Sequence, residues 1–160
     1  MKDLIDQYES GGEQLALSLR GLTPQDLLCV PPADANVGRW SIQHVVIHLA
    51  DAEQVLAERM KRVIAEENPQ LLAFDENKWA SRLEYDEQSA EDAAQLVELT
   101  RRQLARVLRK LTPADFERSG THSESGRKTL ADLLQTAVEH VEHHVKFIHE
   151  KRKFWGKEMW

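Results

Sequence analysis

The sequence predicts an all-α protein built as a four-helix bundle, and three observations carry this prediction. Four long stretches repeat apolar side chains at helical spacing, no stretch shows a strand pattern, and the few Gly and Pro residues lie at segment ends. Amphipathic helices of this length bury their apolar faces against one another. Because the chain has 160 residues, we expect one domain over residues 1–160, with a core large enough to fold unaided.

The first two long helices are bounded by residues that favour helix ends. The first is predicted from about Lys2 to Arg20, with a disturbance at Gly11–Gly12, and a short helical turn follows the N-cap Thr23. The second begins after Ser41, whose hydroxyl can cap a helix, and stops at Asn68–Pro69. Its core-facing stripe comprises Ile42, Val45, Val46, Leu49, Leu56, Met60, Val63 and Ile64.

A long connection separates the second long helix from the third. Residues 69–88 contain several aromatic side chains, and connections of this length often have a function, so we predict a short helix over Asp75–Ser81. The third long helix begins after Ser89, and its stripe comprises Ala93, Leu96, Val97, Leu104, Val107, Leu108 and Leu111. The fourth begins after Thr129 and runs to about Arg152. Its core-facing residues are Leu130, Leu133, Leu134, Ala137, Val138, Val141, Val145 and Ile148.

Composition excludes several classes of function. The net charge of −6 argues against a general nucleic-acid binder, and the basic run Arg101, Arg102, Arg106, Arg109 and Lys110 is interpreted as a solvated helix face. One cysteine excludes an internal disulfide and a thiolate-rich zinc site. The first residues lack the apolar core of a signal peptide, and no apolar stretch is as long as a membrane span. We therefore expect a cytoplasmic protein.

Histidine spacing on the fourth long helix indicates a metal site. His140 and His144 are four residues apart, which stacks their rings on one helix face, whereas His143 lies roughly 100° further round, on the outer side. Such a pair holds the metal in many zinc enzymes, and a catalytic zinc site adds a third protein ligand and keeps one position open. His48, on the shoulder of the second long helix's apolar stripe, is the best third candidate.

The residues alone leave alternatives to this site open. A histidine on an apolar shoulder is more often structural than a ligand, and His44 shares the shoulder that carries His48. Asp51 and Glu53 could orient a ligand through a hydrogen bond. Val141 stands where a zinc peptidase of the His-Glu-x-x-His class requires glutamate, which argues against that class.

Four segments resemble the DinB/YfiT-like family of metalloenzymes. They are GRWSIQHVVIHLAD (residues 38–51), NPQLLAFDENKW (68–79), HSESG (122–126) and HVEHH (140–144), and the second and third resemble the YfiT branch in particular. The resemblance implies a four-helix bundle with a variant of up-and-down topology, often dimeric. It also implies one divalent metal ion held by three histidines that match His48, His140 and His144.

This donor set suggests two reaction classes. Three neutral imidazoles leave a divalent ion its full charge, which lowers the pKa of a bound water or thiol. Since characterised relatives resemble thiol-dependent transferases, we favour an S-transferase that joins a low-molecular-weight thiol to small electrophiles. A metal-dependent hydrolase is the first alternative, and a non-catalytic, stress- or damage-inducible metal-binding or interaction protein is the second.

The same reasoning sets expectations for cofactors and partners. Zinc or nickel is the expected metal, with iron or manganese as alternatives, because imidazole suits several transition metals. We expect a small-molecule substrate and a homodimer, with no nucleic-acid or membrane partner.

Overall fold

Four long helices form the body of the protein, as the sequence predicts. The computed structural model describes residues 1–158, so residues 159–160 of the predicted domain lie outside the described part. The helices are α1 (Lys2–Ser18), α2 (Pro24–Leu28), α3 (Ile42–Ala65), α4 (Glu76–Arg82), α5 (Ala90–Leu108) and α6 (Leu130–Phe154). Helix α4 is the short helix expected in the long connection.

Most helix starts follow the predicted caps. The side chains of Ser41, Ser89 and Thr129 each accept a hydrogen bond from the backbone N–H three residues later, which satisfies a donor that the helix leaves unpaired. The disturbance expected at Gly11–Gly12 is wrong, because α1 continues through both residues. A Cβ on Gly12 would lie 2.6 Å from the Cα of Glu98, so glycine is needed there for the close approach of α1 to α5.

The helix order around the bundle departs from a simple up-and-down arrangement. Helices α1 and α3 each pack against both α5 and α6. Consequently α1 and α3, the first two long helices in the chain, lie on one diagonal, and α5 and α6 lie on the other. This arrangement places the face of α3 that carries His48 against the face of α6 that carries His140 and His144.

Helix α5 buries most of its predicted stripe but exposes two of its members. Leu96 and Val107 are 40% and 42% exposed, whereas Val97, Leu104 and Leu108 are fully buried. Arg101 lies on this same core face, because positions 97, 101, 104 and 108 follow the helical repeat. Its expected place on a solvated face is therefore wrong, since its side chain is only 1% exposed.

The guanidinium of Arg101 connects all four long helices. Its Nε donates to Glu53 Oε2 on α3 at 2.7 Å, its Nη1 donates to the carbonyl of Tyr8 on α1 at 3.1 Å, and its Nη2 donates to the carbonyl of Ala137 on α6. The hydroxyl of Tyr8 donates to the other oxygen of Glu53. Buried charge is tolerated here because it is paired and hydrogen-bonded.

A small sheet lies beside the bundle, although the sequence shows no strand pattern. It contains β1 (Gln70–Leu71), β2 (Ser119–His122) and β3 (Gly126–Thr129), with β1 parallel and β3 antiparallel to β2. Strands of two to four residues are too short to display a clear alternation of polar and apolar side chains. In the described part of the chain, no helix is both long enough and apolar enough to cross a membrane.

Candidate metal centre

Three histidines meet where α3 packs against α6. His48 lies in the second turn of α3, and His140 and His144 lie one turn apart on α6. One ring nitrogen from each lies within 4.8 Å of the others. The ring centroids are 4.7 to 5.0 Å apart. The structure therefore brings together the three residues that the sequence singles out.

The separation of the nitrogens fits a small transition-metal ion. His48 Nε2 and His140 Nε2 are 3.1 Å apart. Two zinc–nitrogen bonds of about 2.0–2.1 Å at a tetrahedral angle place their nitrogens about 3.3 Å apart. A proton shared between the two rings would give a similar distance, so the geometry permits a metal without requiring one. That these three residues bind a metal stays a prediction.

Burial keeps the three imidazoles neutral. Burial, together with a smaller contribution from repulsion by neighbouring histidines, lowers the pKa of His140 to about 3 and that of His144 to about 4. Burial also lowers the pKa of His48, although the carboxylates of Glu76 and Asp51 oppose this effect. Neutral rings offer the lone pairs that metal binding needs, so no proton has to leave these ligands near pH 7.

The surroundings of His48 are apolar on one side and acidic on the other. Trp40 packs edge-on against its ring, with the centroids 5.1 Å apart. His48 Nδ1 is buried and has no hydrogen-bond partner among the described residues. Metal-bound histidines usually donate this second N–H to a carboxylate or carbonyl, so that common supporting contact is missing here.

The two carboxylates that the sequence offered as orienting groups bind elsewhere. Asp51 accepts a hydrogen bond from the hydroxyl of Tyr85. Glu53 is 2% exposed and belongs to the buried cluster around Arg101. Among the described hydrogen bonds, neither carboxylate contacts a ring nitrogen of the three clustered histidines.

Glu76 is the carboxylate that sequence reasoning missed. It is the first residue of α4, and its Oε2 lies 3.7 Å from His48 Nε2. The side chain is 54% exposed. Two sequence signals could have drawn attention to it: the helix predicted in this long connection, and its place in the segment 68–79 that resembles the YfiT branch.

The remaining candidate histidines lie outside the cluster. His143 is exposed on the outer side of α6, as the helical wheel predicts, and His149 is exposed as well. His44 lies 2.9 Å from a carboxylate oxygen of Asp86 and contacts the ring of Tyr85. His44 therefore takes no part in the three-histidine cluster.

His144 borders a small, largely apolar cavity. Its volume is about 250 Å³. Trp40, Val45 and Phe147 form its apolar walls, and the other lining residues are Gly38, Arg39 and Lys151. The ammonium of Lys151 donates to the carbonyls of Val37 and Gly38, which fixes the loop before α3 against α6.

Comparison with known families agrees with this geometry. A sequence model described as the DinB superfamily matches residues 7–148. Among solved structures, the chain is similar to YfiT from Bacillus subtilis, with a TM-score of 0.87 and 26% sequence identity. That match covers 97% of this chain and 87% of the YfiT chain, and YfiT is described as "a probable metal-dependent hydrolase with an unusual four-helix bundle topology".

Curated relatives carry similar descriptions. A protein of Oceanobacillus iheyensis is 34% identical over 120 residues, which is 74% of this chain and 69% of the relative. A protein of Bacillus licheniformis is 31% identical over 124 residues, which is 76% of this chain and 70% of the relative. Each is named "putative metal-dependent hydrolase".

Proposed function

The chain belongs to the DinB superfamily, and from its histidine cluster we propose that it is a metal-dependent hydrolase. His48, His140 and His144 are the proposed ligands. One observation carries this proposal: three neutral imidazole nitrogens lie within 4.8 Å of one another, and one of the three residues, His144, borders a cavity. Three histidines with an open position form the donor set of several zinc enzymes.

The protein's own residues hold and shape this site. The three rings fix the ion between two helices, and Trp40 packs against His48 on one side of it. A divalent ion bound there would lower the pKa of a coordinated water and polarise a substrate carbonyl. Val45 and Phe147 would contact the apolar part of a substrate and keep bulk water away from it.

The size and the apolar walls of the cavity support a small, uncharged substrate. At about 250 Å³, the cavity lies just below the range of about 300–1,000 Å³ that holds drug-sized ligands. Its walls are mostly apolar, and the ammonium of Lys151 is bonded to two backbone carbonyls, so the lining favours an uncharged group over a doubly charged phosphate ester. We therefore propose an uncharged ester or amide as the class of substrate.

Hydrolysis replaces the thiol-dependent S-transferase that the sequence favoured. The relatives' names support a hydrolase, and the names quoted above do not mention a transferase. Zinc and nickel stay the proposed metals, because the three-imidazole donor set suits both. The homodimer and the cytoplasmic location stay predictions that neither the fold nor the cluster addresses.

Hydrolysis of chromogenic substrates tests the proposal. The protein would be stripped with a chelator, reloaded with Zn²⁺ or Ni²⁺, and assayed with p-nitrophenyl acetate and p-nitrophenyl phosphate. We expect metal-dependent cleavage of the acetate, lost in His140→Ala and retained in His143→Ala, whose side chain is exposed and lies outside the three-histidine cluster. Metal-dependent conjugation of a small thiol to monochlorobimane without ester cleavage would favour the transferase instead, and no metal-dependent reaction would favour the non-catalytic alternative.

A further inference from the structure

We propose that Glu76 is the catalytic base of this site, which takes a proton from the water molecule that attacks the substrate carbonyl. This inference rests on the proposed hydrolase function and adds to it a residue outside the three-histidine cluster. It depends on where α4 places one carboxylate relative to the ligand nitrogens, which the histidine spacing does not reveal.

The position of Glu76 relative to the ligand nitrogens carries the argument. His48 Nε2 faces His140 Nε2 at 3.1 Å, which identifies it as the nitrogen that would bind the ion. Glu76 Oε2 lies 3.7 Å from that same nitrogen. A water placed beside the three nitrogens would thus lie within hydrogen-bond reach of the carboxylate, as a general base requires.

The same distances indicate a base rather than a fourth ligand. The donor atoms that all lie within 4.8 Å of one another include the three histidines but not Glu76. A fourth tetrahedral ligand oxygen would lie about 3.3 Å from every nitrogen. The carboxylate therefore lies to one side of the cluster, near His48, and outside the set of atoms that could bind one ion together.

Glu76 is also the carboxylate that is available for this role. Asp51 accepts the Tyr85 hydroxyl, and Glu53 is bonded to Arg101. Among the described residues, Glu76 makes no hydrogen bond or ion pair apart from its contact with His48. Because its side chain is 54% exposed, it can turn towards a substrate that enters from outside.

The proposed step conserves atoms and electrons. One O–H bond of water breaks, its proton moves to Glu76, and its electron pair forms the new bond from oxygen to the carbonyl carbon. The electron pair of the carbonyl π bond moves to the carbonyl oxygen and returns as the bond to the leaving group breaks. The leaving alcohol or amine then takes the proton from Glu76, which restores the carboxylate.

The test compares Glu76→Gln with Glu91→Gln, a matched change at an exposed glutamate of α5. Hydrolysis of p-nitrophenyl acetate is measured with zinc-loaded proteins, and zinc affinity is measured separately by competition with a chromogenic chelator. We expect Glu76→Gln to lower the metal-dependent rate by about 10²–10⁴-fold, the usual contribution of general base catalysis. We expect its zinc affinity to fall less than about tenfold, the lower end of the loss seen when a supporting contact is removed, and Glu91→Gln to change neither quantity.

Two further variants separate a base from other roles. His144→Ala should lose more than a hundredfold in zinc affinity, since it removes a ligand, whereas Glu76→Ala should bind zinc normally and regain hydrolysis when formate is added. A rate in Glu76→Gln within threefold of the parent would overturn the inference, as would a loss of zinc affinity equal to that of His144→Ala. Absence of metal-dependent hydrolysis in the parent would overturn the proposed function itself, before any Glu76 variant is compared.

Discussion

Replacement of Arg101 by methionine should destabilise the protein far more than the same change at its neighbour Arg102. Arg101 is 1% exposed and bonds to groups on α1, α3 and α6. Arg102 is about half exposed, and its nearest carboxylate, that of Glu98, lies 3.6 Å away. Two adjacent arginines thus provide a matched pair in which only the environment differs.

The size of the loss in stability depends on Glu53, the carboxylate that Arg101→Met would leave buried without its partner. Loss of one member of a buried ion pair costs about 3–5 kcal/mol of unfolding free energy, because the other charge stays buried and unpaired. Glu53, at 2% exposure, would keep only the Tyr8 hydroxyl. An exposed pair such as that of Arg102 contributes less than about 1 kcal/mol. Methionine fills much of the volume of the arginine stem, so packing changes little in either variant.

The pH dependence of this loss has a definite sign. Burial raises the pKa of Glu53, and Arg101 opposes that rise. Without Arg101 the folded-state pKa of Glu53 rises further above its unfolded value of about 4.3. Since the folded variant then binds a proton that the unfolded chain releases, its stability falls as pH rises through this interval. The difference from the parent should therefore grow between about pH 5 and pH 8.

Urea unfolding followed by circular dichroism measures this difference. The parent, Arg101→Met and Arg102→Met would be compared at about pH 5 and pH 8 with the slopes of the transitions fitted independently. A loss of unfolding free energy in Arg101→Met no larger than that in Arg102→Met would show that the buried contacts of Arg101 do not stabilise the fold. A large loss that does not depend on pH would mean that Glu53 is not left as a buried acid.

Three further predictions concern other parts of the bundle. Metal-free protein should lose thermal stability as pH falls below about 6.5. The reason is that His140 has a lower pKa in the folded protein than in the unfolded chain, so the unfolded chain binds the proton preferentially. A melting temperature that stays constant from about pH 7.5 to pH 5 would contradict this prediction. Gly12→Ala should lower the unfolding free energy by about 1–3 kcal/mol, because the added Cβ would meet the backbone of Glu98. A urea titration in which this variant is more stable than the parent would show that α1 can shift away from α5. Thr129→Ala should lower the unfolding free energy by about 1 kcal/mol, because it removes the hydroxyl that accepts the backbone N–H of Asp132. An unchanged urea midpoint would exclude a role for this cap.

Local signals account for the parts of the fold that the sequence predicted. A cap such as Ser41 and the apolar repeat of α3 depend on residues within one helix, so they can be recognised without tertiary information. The pair His140 and His144 is of the same kind, because its spacing alone places both rings on one face. His48 needed the resemblance as well, since nothing local shows that α3 packs against α6.

The parts that were missed depend on contacts between distant segments. Glu76 follows His48 by 28 positions and lies on a different helix. No spacing rule predicts that its Oε2 comes within 3.7 Å of His48 Nε2. Arg101 was assigned to the surface because charged residues are seldom buried unless they are paired, and its partner Glu53 lies on another helix. The small sheet was missed because its three strands are stabilised by their pairing and not by a pattern within each strand.

The most direct test of the account is the metal content of the untagged protein. Elemental analysis after reconstitution with zinc or nickel would be compared among the parent, His144→Ala and His143→Ala, which alter adjacent histidines of α6. We predict close to one equivalent of metal in the parent and in His143→Ala, and a large loss in His144→Ala. A parent that binds no metal, or a His144→Ala variant that retains a full equivalent, would contradict the three-histidine centre.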